Sequence, residues 1–381
     1  KGYSKLQNLD LSNNIIEDLP KEFSTLSQIT NINLFANKLK EFHYSNKHLK
    51  VLNLGHNGLN NIPDIDTKEL QKFTFDWNDL VTLDFKMVSL TSLSLVCVGL
   101  EKIAPSFNFP NLDYLDIRMN RLMKIPNFQE TTPKLKYLDI SDNFITDFPK
   151  VPLTIEKLYI KSNSIRSIPD DIIQLTNLQI FNFSNNLIKI VPKIPSVINK
   201  IFGSSNRIVE VAQINTPNLT DCSLNDNVLT AMPAVINNKI IFYSMNHNQI
   251  ANIRLDCISP NVVLIELVDN EIMSIPPEIF NFPCLEHLAL THNKISQIPQ
   301  QIASSKKLKR LVLSFNKIKI IPSLPPTLNE LHIAGNQIEE LTSTITSSNV
   351  TFLDVGMNNL TSIPLLPRVK NLYASQNMIT Q

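Results

Sequence analysis

Leu6-Gln7-Asn8-Leu9-Asp10-Leu11-Ser12-Asn13-Asn14-Ile15-Ile16 reads as L-x-x-L-x-L-x-x-N-x-L, with isoleucine in the last apolar place. The same frame recurs to the end of the chain. Its asparagine returns at Asn37, Asn57 and Asn78, gives way to Val98, and resumes at Asn120, Asn143, Asn163, Asn186 and Asn206. It continues at Asn227, Asn248, Asn270, Asn293, Asn316, Asn336, Asn358 and Asn377. There are 18 frames, 17 of them with asparagine, stepping by 19 to 23 residues. A period of about 21 residues at this copy number marks a repeat architecture. It sets aside the two or three globular domains that length alone suggests.

Each position has a physical reason. The L-x-L core is a short strand whose alternate residues share a face. Leu112, Leu115, Ile117 and Leu122 of the sixth frame therefore point inward. Strands of successive repeats stack as a parallel sheet. The asparagine stands where the chain turns out of the strand, and its amide offers two donors and an acceptor. Val98 cannot supply them, which predicts a local irregularity in the fifth repeat. Gly203 removes an inward side chain from the tenth, which predicts a second soft spot.

The connections come in two styles. Long ones carry proline before an apolar-spaced run, as in Pro169-Asp170-Asp171-Ile172-Ile173-Gln174-Leu175, Pro276-Pro277-Glu278-Ile279-Phe280 and Pro299-Gln300-Gln301-Ile302. These predict a helical turn with proline at its first position. Short ones carry P-x-x-P, at Pro149/Pro152, Pro192/Pro195, Pro322/Pro325 and Pro364/Pro367, and should run extended.

On these residues the chain resembles the leucine-rich-repeat superfamily over essentially its whole length. The resemblance implies an α/β solenoid, a horseshoe with a concave parallel β-sheet and a mixed 3-10, helical and extended convex side. It also implies that the ladder asparagines lie inside, satisfying turn backbone, with no binding role. Residues 1–381 read as a single repeat domain of about 18 repeats. The long style is similar to Ras-associated repeats of adenylyl cyclases, Ras scaffolds and type 2C phosphatases, and the short style to repeats of secreted bacterial effectors. The opening Lys1-Gly2-Tyr3-Ser4 is no signal peptide, and neither end shows a polar cap, so a fragment of a longer protein is expected.

Composition narrows the function. Net charge is +1, which argues against nucleic-acid or membrane-surface partners. No apolar run reaches 18 residues, so no membrane span is expected. Cys97, Cys222, Cys257 and Cys284 are too dispersed for a zinc or disulfide framework, which favours a reducing, cytoplasmic compartment. None of the nucleotide-binding, hydrolase or metalloprotease motifs occurs, so no catalytic residue, metal or cofactor is expected. His247, His287, His292 and His332 fall on nearby strands or turns and read as surface histidines. Sequons at Asn182, Asn218, Asn349 and Asn359 would matter only in a secreted chain, and Asn182 lies on a strand.

The outward strand positions are the expected contact surface. Repeats four to eight offer Thr74, Asp76 and Trp77, then Tyr114, Asp116 and Arg118, then Tyr137, Asp139 and Asp142, then Lys157, Tyr159 and Lys161. Exposed aromatics with arginine are the composition of interaction hot spots, although tyrosines also stack along sheets as cross-strand ladders. Asp76, Trp77, Tyr114, Asp116, Arg118, Tyr137, Asp139, Tyr159 and Lys161 are the expected partner-binding set. A second, more basic stretch holds His287, His292, Lys309, Arg310 and Phe315.

The expected function is non-catalytic protein recognition within an intracellular signalling protein. The resemblance implies a Ras-like GTPase or a phosphatase substrate as partner, with a phosphatase or cyclase domain elsewhere. Uncapped ends offer a surface for a homodimer. The alternatives are an extracellular receptor or adhesion ectodomain and the repeat region of a bacterial effector.

Overall fold

The strands of the main sheet are three residues long, and the central residue of nearly every one is turned inward. The computed structural model describes residues 5–66, 68–85, 87–235 and 239–380. Lys1–Ser4 lie outside them. The chain falls into two compact units, residues 1–187 and 188–381. In the first, nine parallel strands run from Asn8–Asp10 to Ile180–Asn182, each in register with the next. In the second, nine more run from Lys200–Phe202 to Asn371–Tyr373. The fold is a parallel-sheet solenoid with little helix.

Alternation puts the predicted residues in the core: Leu112, Leu115, Ile117 and Leu122 are all fully buried. Phenylalanines thicken the interior of the first unit. Phe73, Phe85, Phe109, Phe107 and Phe128 touch in sequence, with ring centroids 4.8 to 6.2 Å apart. This row passes beneath the one repeat that lacks its asparagine.

The ladder asparagine holds the turns together. The Nδ2 of Asn143 donates to the carbonyls of Ile140 and Ser141 in its own repeat and of Ile117 in the preceding one, each at 3.1 Å. Its Oδ1 accepts from the Leu122 amide at 3.0 Å. Asn293 in the second unit repeats the pattern with Leu290, Thr291, Leu267 and the Ile272 amide. The residue before each ladder position has a positive φ, from Asn13 at 57° to Gln376 at 56°. That left-handed residue swings the chain out of the strand.

Val98 breaks the ladder within one turn. Its side chain is buried, and the Leu80 amide, which an asparagine oxygen would have taken, donates to the Val98 carbonyl instead. The carbonyls of Phe75 and Leu95 keep one amide donor each, from Asn78 and Asn120. Gly99, at φ +77°, absorbs the altered turn. Strand pairing continues undisturbed on both sides, through Phe73↔Leu93 and Leu115↔Leu93. At Gly203 the strand also persists, its amide donating to Ser223.

The back of each repeat is set by proline. The long connections form 3-10 turns rather than α-helical ones, at Asp170–Gln174, Pro277–Asn281 and Gln300–Ser304. In each, a proline carbonyl accepts from an apolar residue three places on: Pro169 from Ile172, Pro276 from Ile279, Pro299 from Ile302. Those isoleucines are buried, so the turn closes by seating its anchor. Five residues closed by i→i+3 bonds leave too little length for an α-helix. P-x-x-P segments form neither helix nor strand, and the second proline closes a turn in the same way, Pro152 on Ile155 and Pro325 on Leu328. Short parallel pairs not anticipated from the sequence also line the back, such as Thr82–Leu83 with Lys102–Ile103.

Asn143→Leu should lower the stability of its unit by about 2–4 kcal/mol, because the buried Leu122 amide and Ile117 carbonyl lose partners. Urea unfolding followed by circular dichroism measures this; a change within ~0.5 kcal/mol would mean the ladder is not what ties these turns.

Candidate functional site

The parallel register lines up like positions of successive repeats about 4.8 Å apart on the strand face. Three neighbouring repeats place tyrosine on this face, two of them at the same register position. Tyr114 and Tyr137 are partners in register and stack, centroids 4.3 Å apart and planes 15° apart. Tyr159 lies two residues further along its strand, in register with Asp139, and tilts against Tyr137 at 5.4 Å and 42°. The cross-strand stack anticipated as an alternative to binding is thus present, and its ring edges remain half-exposed.

Beneath the rings the structure corrects the sequence. Asp116 and Asp139, expected on the solvent face as exposed contacts, are buried, at 3% and 5% exposure. Tyrosine and arginine cover them. The Arg118 guanidinium spans both, at 3.6 Å from Asp116 and 3.7 Å from Asp139. Backbone amides help hold the carboxylates in place: Arg118 N donates to Asp116 at 3.2 Å, and Ser141 N to Asp139 at 2.9 Å. Asp76 accepts from the Ser94 hydroxyl at 2.7 Å and the Val96 amide at 2.8 Å.

Two carboxylates therefore share one guanidinium, and Asp76 feels it from farther off. Burial, and then the neighbouring Asp139, pushes the Asp116 carboxyl up to about 6. Burial also raises Asp76 and Asp139, against the hydrogen bonds that lower them. The same burial, with the carboxylates nearby, raises the phenols of Tyr114 and Tyr137 and keeps them protonated donors.

The other expected contacts sit at the rim. Trp77 is half-exposed and occupies the left-handed position before Asn78, at φ +56°. Asp142 holds the equivalent place before Asn143. Lys157 and Lys161 are exposed, and Thr74 is half-buried. Serines missed in the sequence, Ser94 and Ser141, turn out to orient the carboxylates.

In the second unit, the stretch read as basic is balanced. Lys309 pairs with Glu286 at 2.7 Å and Arg310 with Glu330 at 3.4 Å. His292 and Phe315 stack at 4.4 Å, and the Phe315 ring lies over Gly335, where a Cβ would meet it at 2.5 Å. His247 pairs with Asp269, and His332 packs on Phe352. Among the described residues no group of three or more His, Cys, Asp or Glu is placed to hold a metal ion. All four cysteines are free thiols. Among the described residues no helix is long and apolar enough to cross a membrane.

Family descriptions match separate stretches: Leucine rich repeat over residues 260–318, Leucine Rich repeats (2 copies) over 110–153, and further leucine-rich repeats over 5–26 and 45–62. The chain is 40% identical over 68 residues to acidic leucine-rich nuclear phosphoprotein 32 family member A of Drosophila melanogaster. That stretch is 18% of this chain and 26% of the fly protein, so only about a quarter of the relative is matched. Among solved structures, YopM from Yersinia enterocolitica is similar at 25% identity and a TM-score of 0.73, over 96% of this chain and 77% of that one. The plant peptide hormone receptor RGFR1 in complex with RGF2 shares the fold at 21% identity and a TM-score of 0.62, over 98% of this chain and 79% of the receptor.

Asp116 holds its proton into the neutral range. The folded state holds its proton more tightly than the unfolded chain, so stability falls as pH rises from about 4 through about 6. Asp116→Asn should therefore raise stability at pH 7.5 by roughly 1–3 kcal/mol and change little at pH 4. Thermal melts of both proteins across that range measure it; a variant less stable at pH 7.5 than at pH 4 relative to wild type would reverse the assignment.

Proposed function

Because the chain is a leucine-rich-repeat protein, we propose that it is a non-catalytic recognition module that binds a protein partner on the strand face of its first unit. The observation that carries this is the composition of that face. Stacked tyrosines, an exposed tryptophan and an arginine stand over a bed of buried carboxylates. Rigid aromatics and arginine over a desolvated centre are what interaction hot spots are made of. The module is the recognition or regulatory part of a cytoplasmic signalling protein, linked to a phosphatase or cyclase domain. Its partner is a Ras-like GTPase or a phosphatase substrate. Supporting this are the proline-led long repeats and the four free thiols. The ladder continues without a gap through Asn163, Asn186, Asn206 and Asn227, which supports one repeat domain of about 18 repeats. Two copies pairing as a homodimer belongs to the same proposal.

A second reading is the repeat region of a secreted bacterial protein. The four P-x-x-P connections and the likeness to the Yersinia structure favour it.

The test is affinity capture from source-cell lysate with wild type and a Trp77→Asn/Tyr137→Ala double variant. Asparagine tolerates the left-handed backbone at position 77, so the substitution adds no backbone strain there. A partner retained by wild type and lost by the variant at equal melting temperature is the expected result, and its identity separates signalling from bacterial contexts. Equal capture by both would move the binding face away from these repeats.

A further inference from the structure

The tyrosine stack ends abruptly. On one side of Tyr114 stands Tyr137 at 4.3 Å; on the other, its register neighbour is Ser92. The next position beyond is Lys72, two strands from Tyr114. A ring face thus looks onto a column headed by a small side chain, one strand spacing wide. Strand spacing is close to the stacking distance of planar groups, so the slot above Ser92 has the thickness of one planar group.

A carboxylate lies next along the face from the slot, whose far wall is the exposed Lys72. Ser94, which follows Ser92 on the face, donates to Asp76 Oδ1, and Val96 N donates to the same oxygen. Asp76 Oδ2 takes no hydrogen bond among the described residues, and no cation lies within ion-pair distance of Asp76 there. Arg118 is committed to Asp116 and Asp139, at 3.6 and 3.7 Å. Of the three carboxylates, Asp76 is the one with no cation at ion-pair distance among the described residues, Arg118 reaching it only at longer range.

We propose that this slot seats the guanidinium of an arginine carried by the protein partner, stacked on Tyr114 above Ser92 and paired with Asp76. The occupant follows from complementarity. It must be flat to enter the slot, cationic to answer Asp76, and a donor in the plane of its own stack to reach a carboxylate at the side. Guanidinium meets all three conditions, and it stacks on aromatic faces while forming in-plane hydrogen bonds. The ammonium of lysine is neither flat nor a stacking group. The inference rests on the proposed role of this face in partner binding and specifies the chemistry it selects.

The experiment titrates the full chain, with its tyrosine rings isotopically labelled, with arginine ethyl ester and separately with lysine ethyl ester. Tyr114 ring signals, assigned from a Tyr114→Phe spectrum, should move saturably with arginine and respond at least fivefold more weakly to lysine. Asp76→Asn should weaken the arginine response at least threefold. Ser92→Tyr, which extends the stack into the slot, should abolish it; preserved amide dispersion would establish that this variant is folded, and Asp76→Asn tests the same seat without filling it. Equal responses to the two esters, or an arginine response surviving either variant, would overturn the proposal. Loss of partner capture in the Trp77→Asn/Tyr137→Ala protein alongside a negative arginine titration would sink the seat and leave the binding face standing. A saturable arginine response with unchanged capture would show that the slot takes a guanidinium and overturn the partner as its source.

Discussion

The side-chain amide of the ladder asparagine is the interaction on which the rest depends. A chain that turns out of a three-residue strand buries carbonyls that have no strand to pair with. Water cannot reach them, and leaving them unpaired costs about 1–3 kcal/mol apiece. One asparagine serves three of them and takes an amide in return, as Asn143 does with Ile140, Ser141, Ile117 and Leu122. Two of these four bonds reach into the preceding repeat. The bond network therefore closes the turn and stacks the repeat in one step. The strand face, with everything displayed on it, inherits its register from this.

Much of the architecture was legible because it rests on periodic requirements. A position that must be apolar, or must carry an amide, declares itself when it recurs 18 times. The left-handed residue before each asparagine was legible too, though it was not read. Asn13, Asp142, Asn185, Asp226, Asp269 and Gly335 are residue types that accept positive φ. Trp77, Met119 and Phe315 occupy the same position without that preference, so composition alone hides the rule. The turns at the back were only half legible. Proline announced them, but 3-10 against α is decided by how few residues separate the proline from its buried anchor.

The candidate face shows where sequence reasoning stops. Alternation correctly put Tyr114, Asp116, Tyr137 and Asp139 on one side of the sheet. It could not show that the rings lie over the carboxylates, because facing solvent and reaching solvent differ once long side chains fold across short ones. The same blindness made the stretch around Arg310 look basic. Its acids, Glu286 and Glu330, come from neighbouring repeats and are found only once the strands are stacked. Electrostatics in a solenoid is a property of columns running across repeats, and a linear reading sees rows.

The ladder also bears on how the protein ages chemically. Asn57 is followed by Gly58, the dipeptide in which an asparagine most readily cyclises as the next amide nitrogen attacks its side chain. Here the Gly58 amide donates to the Leu39 carbonyl at 2.9 Å. The Asn57 amide is itself tied to Leu34, Leu54 and Gly55. Neither group is free to reach the other while the repeat is intact. Once the turn opens, cyclisation and hydrolysis leave an acid where the ladder needs a donor, and that rung cannot re-form. Damage at this site would accumulate as a record of how often the second and third repeats have come apart.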